Sequence, residues 1–156
     1  MSAAGWDTER AAALIVALKD EPGAALPILH ALQREFGYID RAAVPMIAQA
    51  LNLSRAEVHG VVSFYHDFRS APPGRHVLKL CRAEACQSMG ADALAQRVRE
   101  RLQLDWHETS PDGRVTLEPV FCLGLCACAP AAMLDNRVIG ALDETRLSLL
   151  IDQVRA

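Results

Sequence analysis

The stretch Ala71-Pro72-Pro73-Gly74-Arg75-His76-Val77-Leu78-Lys79-Leu80-Cys81 decides the fold. Its first four residues read as a linker, because paired prolines and a glycine cannot continue a helix or a central strand. Val77-Leu78-Lys79-Leu80 then reads as a strand that ends on a cysteine. The grammar of the sequence changes across this point. Upstream the apolar residues recur at helical spacing, and downstream strands and helices alternate.

Upstream, Thr8 to Lys19 carries Ala11, Leu14, Ile15 and Leu18 on one helical face, and Pro22-Gly23 breaks it. Ala24 to Phe36 resumes the pattern with Leu26, Leu29, Leu32 and Phe36, and Gly37 is placed to stop it. Asp40 is expected to cap a third helix reaching Leu51. Ser54-Arg55-Ala56-Glu57 has the form of a capping box opening a fourth, Arg55 to Phe64. Asn52-Leu53-Ser54 also matches a glycosylation sequon, but the cap is the better reading in a cytoplasmic chain. Residues 1–70 are therefore expected to form an N-terminal helical bundle.

Downstream, Ala91 to Leu104 reads as an amphipathic helix, with Leu94, Ala95, Val98 and Leu102 on one face. Arg114 to Val120 alternates like a strand. Ala132-Met133-Leu134 and Arg137-Val138-Ile139 flank Asp135-Asn136 as two strands of a hairpin. Asp143 is placed to cap a last helix with Leu147, Leu150, Ile151 and Val154 inward. Strand–helix–strand followed by strand–strand–helix is the element order of a thioredoxin-like α/β domain, expected over residues 75–156. The fold class is α+β.

Onto this map fall Cys81, Cys86, Cys122 and Cys126, of the 5 cysteines in the chain. Cys81 ends the first strand, Cys86 is expected in the loop before the amphipathic helix, and Cys122-Leu123-Gly124-Leu125-Cys126 forms a second loop. Loops at one edge of a sheet can bring both pairs together. A [2Fe-2S] cluster takes four thiolates, two on each iron. The simplest assignment gives one iron Cys81 and Cys86 and the other Cys122 and Cys126. Gly124 supplies backbone freedom for tight wrapping, and Ala83, Ala85, Leu123, Leu125 and Ala127 are expected to limit water. Four cysteines also suit tetrahedral zinc. Zinc ribbons favour two residues between paired cysteines, so the wider spacing here favours iron–sulfur without closing the zinc reading. With no Cys-x-x-Cys present, thiol–disulfide catalysis is the weaker reading. Cys128 reads as a neighbouring or buried thiol outside the ligand set.

Composition excludes several classes of function. The chain of 156 residues is 51% hydrophobic and 22% charged, with a formal net charge of −3. Without a basic stripe, nucleic acid is not an expected partner. The N-terminus has no positively charged start of a secretory signal, and its longest early apolar run is too short to span a bilayer. A cytoplasmic location without direct membrane insertion is the expectation, and clustered cysteines there point to metal or redox chemistry. The histidines are scattered; His66, within Phe64-Tyr65-His66-Asp67-Phe68, sits in an aromatic cluster expected to pack on its own chain or on a partner. Trp6 and Trp106 read as packing residues. No nucleophilic triad, phosphate loop or dinucleotide fingerprint is present.

With those residues in hand, the chain resembles the small [2Fe-2S] subunits of NAD(H)-linked redox complexes, the family of the thioredoxin-like ferredoxin subunit of respiratory NADH dehydrogenase modules. The resemblance runs from about residue 20 to the end. It is carried by Leu32-Gln33, Gly37-Tyr38-Ile39, Ser54-x-x-Glu57-Val58-x-Gly60-Val61-Val62-Ser63-Phe64-Tyr65, the two cysteine loops and Ala129-Pro130. Within the family, Cys81-Arg82-Ala83-Glu84-Ala85-Cys86-Gln87-Ser88-Met89-Gly90, Phe64 to Arg69 and Cys122 to Pro130 are most similar to the gamma subunit of soluble NAD-dependent formate dehydrogenases. Respiratory members more often carry Gly-Asn where this chain has Ala127-Cys128. The resemblance implies a [2Fe-2S] cluster on Cys81, Cys86, Cys122 and Cys126, and a non-catalytic, electron-transferring role. It also implies a flavin- and NAD-binding subunit and a molybdenum-containing formate-oxidising subunit as partners. The equivalent subunit of an NADH:quinone oxidoreductase or NAD-reducing hydrogenase is the alternative, and a non-redox adaptor with a four-cysteine zinc site is the alternative of a different class.

Overall fold

In the computed structural model, which describes residues 5–155, the chain divides into two units at Pro72 and Pro73. The first holds α1 (Thr8–Leu18), α2 (Ala25–Phe36), α3 (Ala43–Leu51) and α4 (Arg55–Phe64). Their apolar stripes meet in one core that includes Ala11, Ile15, Ile28, Leu29, Leu32, Phe36, Ile47 and Val58. Each fully buried Leu, Ile or Phe side chain there contributes about 1.5–3 kcal/mol relative to exposure. The ends of the helices follow local chemistry. Asp7 accepts hydrogen bonds from the N–H groups of Glu9 and Arg10 at the start of α1. The Ser54–Glu57 capping box opens α4 with both reciprocal bonds present. Gly37 takes a φ of 83° and donates its N–H to the Gln33 carbonyl, closing α2.

Asp40 does not cap α3 directly. Ala42 holds the N-cap position, and Asp40 accepts the Ala42 N–H two residues on, making the turn that precedes the helix. Gln33 has a role that periodicity did not show. Its side-chain amide donates to the Asp67 carbonyl and accepts the Arg69 N–H, both at 2.7 Å, tying the segment after α4 back to α2. Phe68 is buried in this core beside the His30 ring, whereas Phe64, Tyr65 and His66 are exposed.

The second unit holds β1 (His76–Cys81), α5 (Glu84–Ser88), α6 (Ala91–Leu102), β2 (Val115–Val120), a single 3-10 turn (Cys126–Cys128), β3 (Ala132–Leu134), β4 (Arg137–Ile139) and α7 (Glu144–Arg155). The sheet order is β2-β1-β3-β4. β1 and β2 are parallel, as the helical crossover between them requires, and β3 and β4 form the antiparallel hairpin. Leu78, Leu80, Val115, Leu117 and Ala132 from the strands pack with Ala95, Val98 and Leu102 of α6 and Leu147, Ile151 and Val154 of α7. Asp143 caps α7 through the Arg146 N–H.

Two features of this unit depart from expectation. The amphipathic helix ends at Leu102, because Gln103 turns left-handed with a φ of 55°. Cys86 lies in the short helix α5 rather than in a loop.

Register places the site. Cys81, last residue of β1, lies opposite Val120, last residue of β2, and β3 begins next to Leu80. Three chain segments therefore meet at one end of the sheet.

Candidate metal centre

Each cysteine is delivered by a different local device. Cys81 leaves β1 with its N–H on the Ala131 carbonyl at 3.0 Å. Cys86 lies on α5, five residues further on, and both thiols of this pair are buried. Cys122 follows β2 with a φ of 93°, a conformation that non-glycine residues rarely adopt. Gly124 at φ 75° completes the reversal to Cys126, at the start of the 3-10 turn. Cys122 Sγ and Cys126 Sγ stand 3.7 Å apart. The 3-10 turn is held from behind: Ala141 donates its N–H to the Cys128 carbonyl at 2.5 Å, and Leu142 donates to that of Pro130 at 2.8 Å.

The two pairs differ in environment. Cys81 and Cys86 are both 2% exposed, packed with Ala91 and Ala131 under Ala83, Val120, Leu123 and Leu125. Cys122 and Cys126 are exposed. The expected apolar screen therefore covers the inner pair, while Ala127 is itself exposed. Cys128 is exposed as well, so of the two expectations, a neighbouring or a buried thiol, the buried one is corrected. Among the described residues, no group of three His, Cys, Asp or Glu side chains converges as a site for one metal ion. The thiols stand as two pairs.

Burial opposes ionisation of Cys81, yet its pKa lies below the ordinary thiol value. The Ala83 N–H, the Cys86 thiol and the N–H groups of Cys122 and Leu123 stabilise its thiolate. Cys86 is pushed up, first by burial and then by the neighbouring Cys81 thiol. Cys126 is raised by its contact with Cys122.

The residues fit a thiolate-held cluster on two counts. Metal–sulfur bonds of ~2.3 Å at a tetrahedral centre put two thiolates ~3.8 Å apart, and the outer pair shows that spacing. Backbone N–H groups converge on sulfur. Those of Ala83, Cys122 and Leu123 favour the thiolate of Cys81, that of Ala131 favours that of Cys86, and that of Gly124 donates to Cys122 Sγ at 3.4 Å. Such a nest of donors suits a centre of net negative charge.

Paired thiols lined with backbone donors at the end of a mixed sheet define an iron–sulfur carrier of the ferredoxin class. Residues 11–155 match the thioredoxin-like [2Fe-2S] ferredoxins, and the chain belongs to that family. Its cofactor is the [2Fe-2S] cluster, so the zinc reading left open by spacing gives way to iron–sulfur.

Relatives lie in several complexes. The chain is 34% identical over 126 residues to the NADP-reducing hydrogenase subunit HndA of Solidesulfovibrio fructosivorans, covering 81% of this chain and 74% of that one. It is 31% identical over 134 residues to an NADH-quinone oxidoreductase subunit of Pseudomonas aeruginosa, covering 86% of this chain and 81% of that one. Among solved structures it superposes with a TM-score of 0.72 and 26% identity on an NAD+-reducing [NiFe]-hydrogenase in the air-oxidized state, covering 88% of this chain but 23% of that chain.

Proposed function

We propose that the chain is the non-catalytic electron-transfer subunit of an NAD-dependent formate dehydrogenase complex, with Cys81, Cys86, Cys122 and Cys126 as the cluster ligands. The observation that carries electron transfer is the placing of two thiol pairs at one end of the sheet, the inner pair at the end of β1 and on α5 and the outer pair 3.7 Å apart with the Gly124 N–H on Cys122 Sγ. When bound, the cluster supplies a one-electron couple. The chain supplies the rest: thiolates to hold it, N–H groups to favour negative charge, and a partly apolar inner wall to exclude water. Residues 1–70 are read as a helical domain and 75–156 as the thioredoxin-like cluster domain.

The partner reading rests on the surface beside the outer thiols. Phe121 is 74% exposed and Met89 is 62% exposed. Large apolar side chains left open, Phe121 next to Cys122 in the chain and Met89 at the end of the helix that carries Cys86, suit a protein surface that covers them. A flavin- and NAD-binding subunit is the partner proposed for that surface, with a molybdenum-containing formate-oxidising subunit in the same assembly. The wording of the loops, Cys81 to Gly90 and Ala127-Cys128, favours formate over other donors. The names of the relatives favour the second reading, a subunit of an NADH:quinone oxidoreductase or NAD-reducing hydrogenase. No helix among the described residues is long and apolar enough to cross a membrane; a cytoplasmic location is part of the proposal.

Isolation of the native complex through an affinity tag on this chain tests the proposal. Formate-dependent reduction of NAD+ with molybdenum in the preparation supports it. Hydrogen-dependent reduction with nickel, or quinone reduction by a membrane-bound assembly, establishes the second reading instead.

A further inference from the structure

Arg82 follows Cys81 in the chain, and everything about it is fixed. Its N–H donates to the Val120 carbonyl at 2.8 Å, and its carbonyl accepts the Gln87 side-chain amide at 2.7 Å. Its guanidinium lies 5.4 Å from the centre of the Trp106 ring and bonds Asp92 at 3.0 Å. A second guanidinium, that of Arg99, lies 5.9 Å from the same ring and bonds Asp105 at 2.8 Å. Cation–π attraction is strongest over tryptophan and grows as the cation loses water.

The charges do not simply cancel. The Arg82 and Arg99 side chains are 27% and 40% exposed, and those of Asp92 and Asp105 are 58% and 60% exposed. All four side chains, with Glu100, line one open cavity, and the carboxylates, being the more exposed, have the more strongly screened fields. The guanidiniums lie inward, and the Nε–H groups of Arg82 and Arg99 are buried without a hydrogen-bond partner. Two partly buried cations thus stand over one ring, and one of them is carried by the residue that follows Cys81 in the chain.

We infer that Arg82 is a positioning residue that raises the reduction potential of the centre held by the neighbouring thiols. The inference rests on the cluster assignment proposed above. Reduction adds one electron and one negative charge at the thiolate-held centre. A clamped cation one residue from Cys81 stabilises that added charge, since net charge near the centre is one of the levers on its potential. Trp106 and Arg99 act through Arg82 by fixing its plane, and Asp92 moderates it.

The test is a redox titration of the full chain, purified without air and followed by electron paramagnetic resonance. Arg82→Gln is expected to move the midpoint to a more negative value with the rhombic signal retained, and Arg82→Lys to restore most of the shift. Asp92→Asn is expected to move it to a more positive value. Arg97→Gln, on the exposed α6–α7 pair with Glu144, serves as the control and is expected to leave it unchanged. A midpoint equal to wild type in Arg82→Gln with an intact signal overturns the inference. If that variant fails to hold its cluster, Asp92→Asn decides alone: a midpoint that stays put or falls overturns the inference, and a rise sustains it. An iron-free wild-type chain would instead remove the cluster assignment.

Discussion

Gly140→Ala puts the packing behind the outer thiols to the test. A Cβ at residue 140 would lie 2.8 Å from Cys128 Cβ and 3.1 Å from the Cys128 carbonyl oxygen. Carbon atoms prefer separations of ~3.5–4.0 Å, so the overlap is about 0.7 Å or more. The struck atoms belong to the main chain and first side-chain carbon of the 3-10 turn, and neither can swing aside as a long side chain can. The same shift strains the Ala141 N–H bond to the Cys128 carbonyl. Overpacking of this kind costs about 1–3 kcal/mol, and a weakened backbone hydrogen bond adds up to about 1 kcal/mol. A loss of about 2 kcal/mol lowers the melting temperature of a chain this size by roughly 4–8 °C. Because Cys126 opens the displaced turn, the paramagnetic signal should broaden as well. Gly60→Ala is the matched control, since its Cβ meets nothing within 4 Å and the residue sits inside α4. That substitution should stabilise by about 0.5–1 kcal/mol. Thermal melts by circular dichroism and the spectrum of the reduced chain give both readouts. A Gly140→Ala chain that melts with wild type and shows the same signal refutes the reasoning.

Replacing Cys81, Cys86, Cys122 or Cys126 by Ser should each abolish or badly perturb the cluster, while Cys128→Ser should leave it assembled; iron and acid-labile sulfide per chain check both. Ser54→Ala removes the acceptor for the Glu57 N–H and should cost about 1 kcal/mol in denaturant melts. Glu57 is held below its ordinary value of 4.5, first by the Ser54 backbone N–H and then by the Ser54 hydroxyl. Its contribution is therefore full above the unfolded pKa and is lost as pH falls through the lower folded one. Glu57→Gln should flatten the acid limb of stability below about pH 4.5 in denaturant midpoints measured down to about pH 3.

Much of this architecture is legible in the sequence, and the gaps have physical causes. The helices are written in apolar spacing, and all four predicted inward residues of α7, Leu147, Leu150, Ile151 and Val154, are buried. The short helix α5 escapes because five residues are too few for a periodic stripe, and its N-cap, Ala83, has no capping side chain. Asp40 carries a capping residue's chemistry but spends it on the turn before α3. At the site, spacing pairs the cysteines but says nothing of which pair faces water. That depends on the φ of 93° at Cys122 and on Ala131, just before β3, reaching the Cys81 N–H, both products of tertiary structure. Trp106 reads as a packing residue and does pack against the α/β core. Its hold on two arginines distant in sequence has no local signal.

The division of the thiols into an inner and an outer pair has a chemical consequence. Any reagent arriving from solution meets Cys122, Cys126 and Cys128 before it meets Cys81 or Cys86. Alkylating or oxidising agents will therefore scar the chain asymmetrically, striking the outer loop while the inner pair stays shielded until the fold opens. The partner proposed to cover this face would then also protect it from chemical wear. A chain left without its partner would age from the outer loop inward.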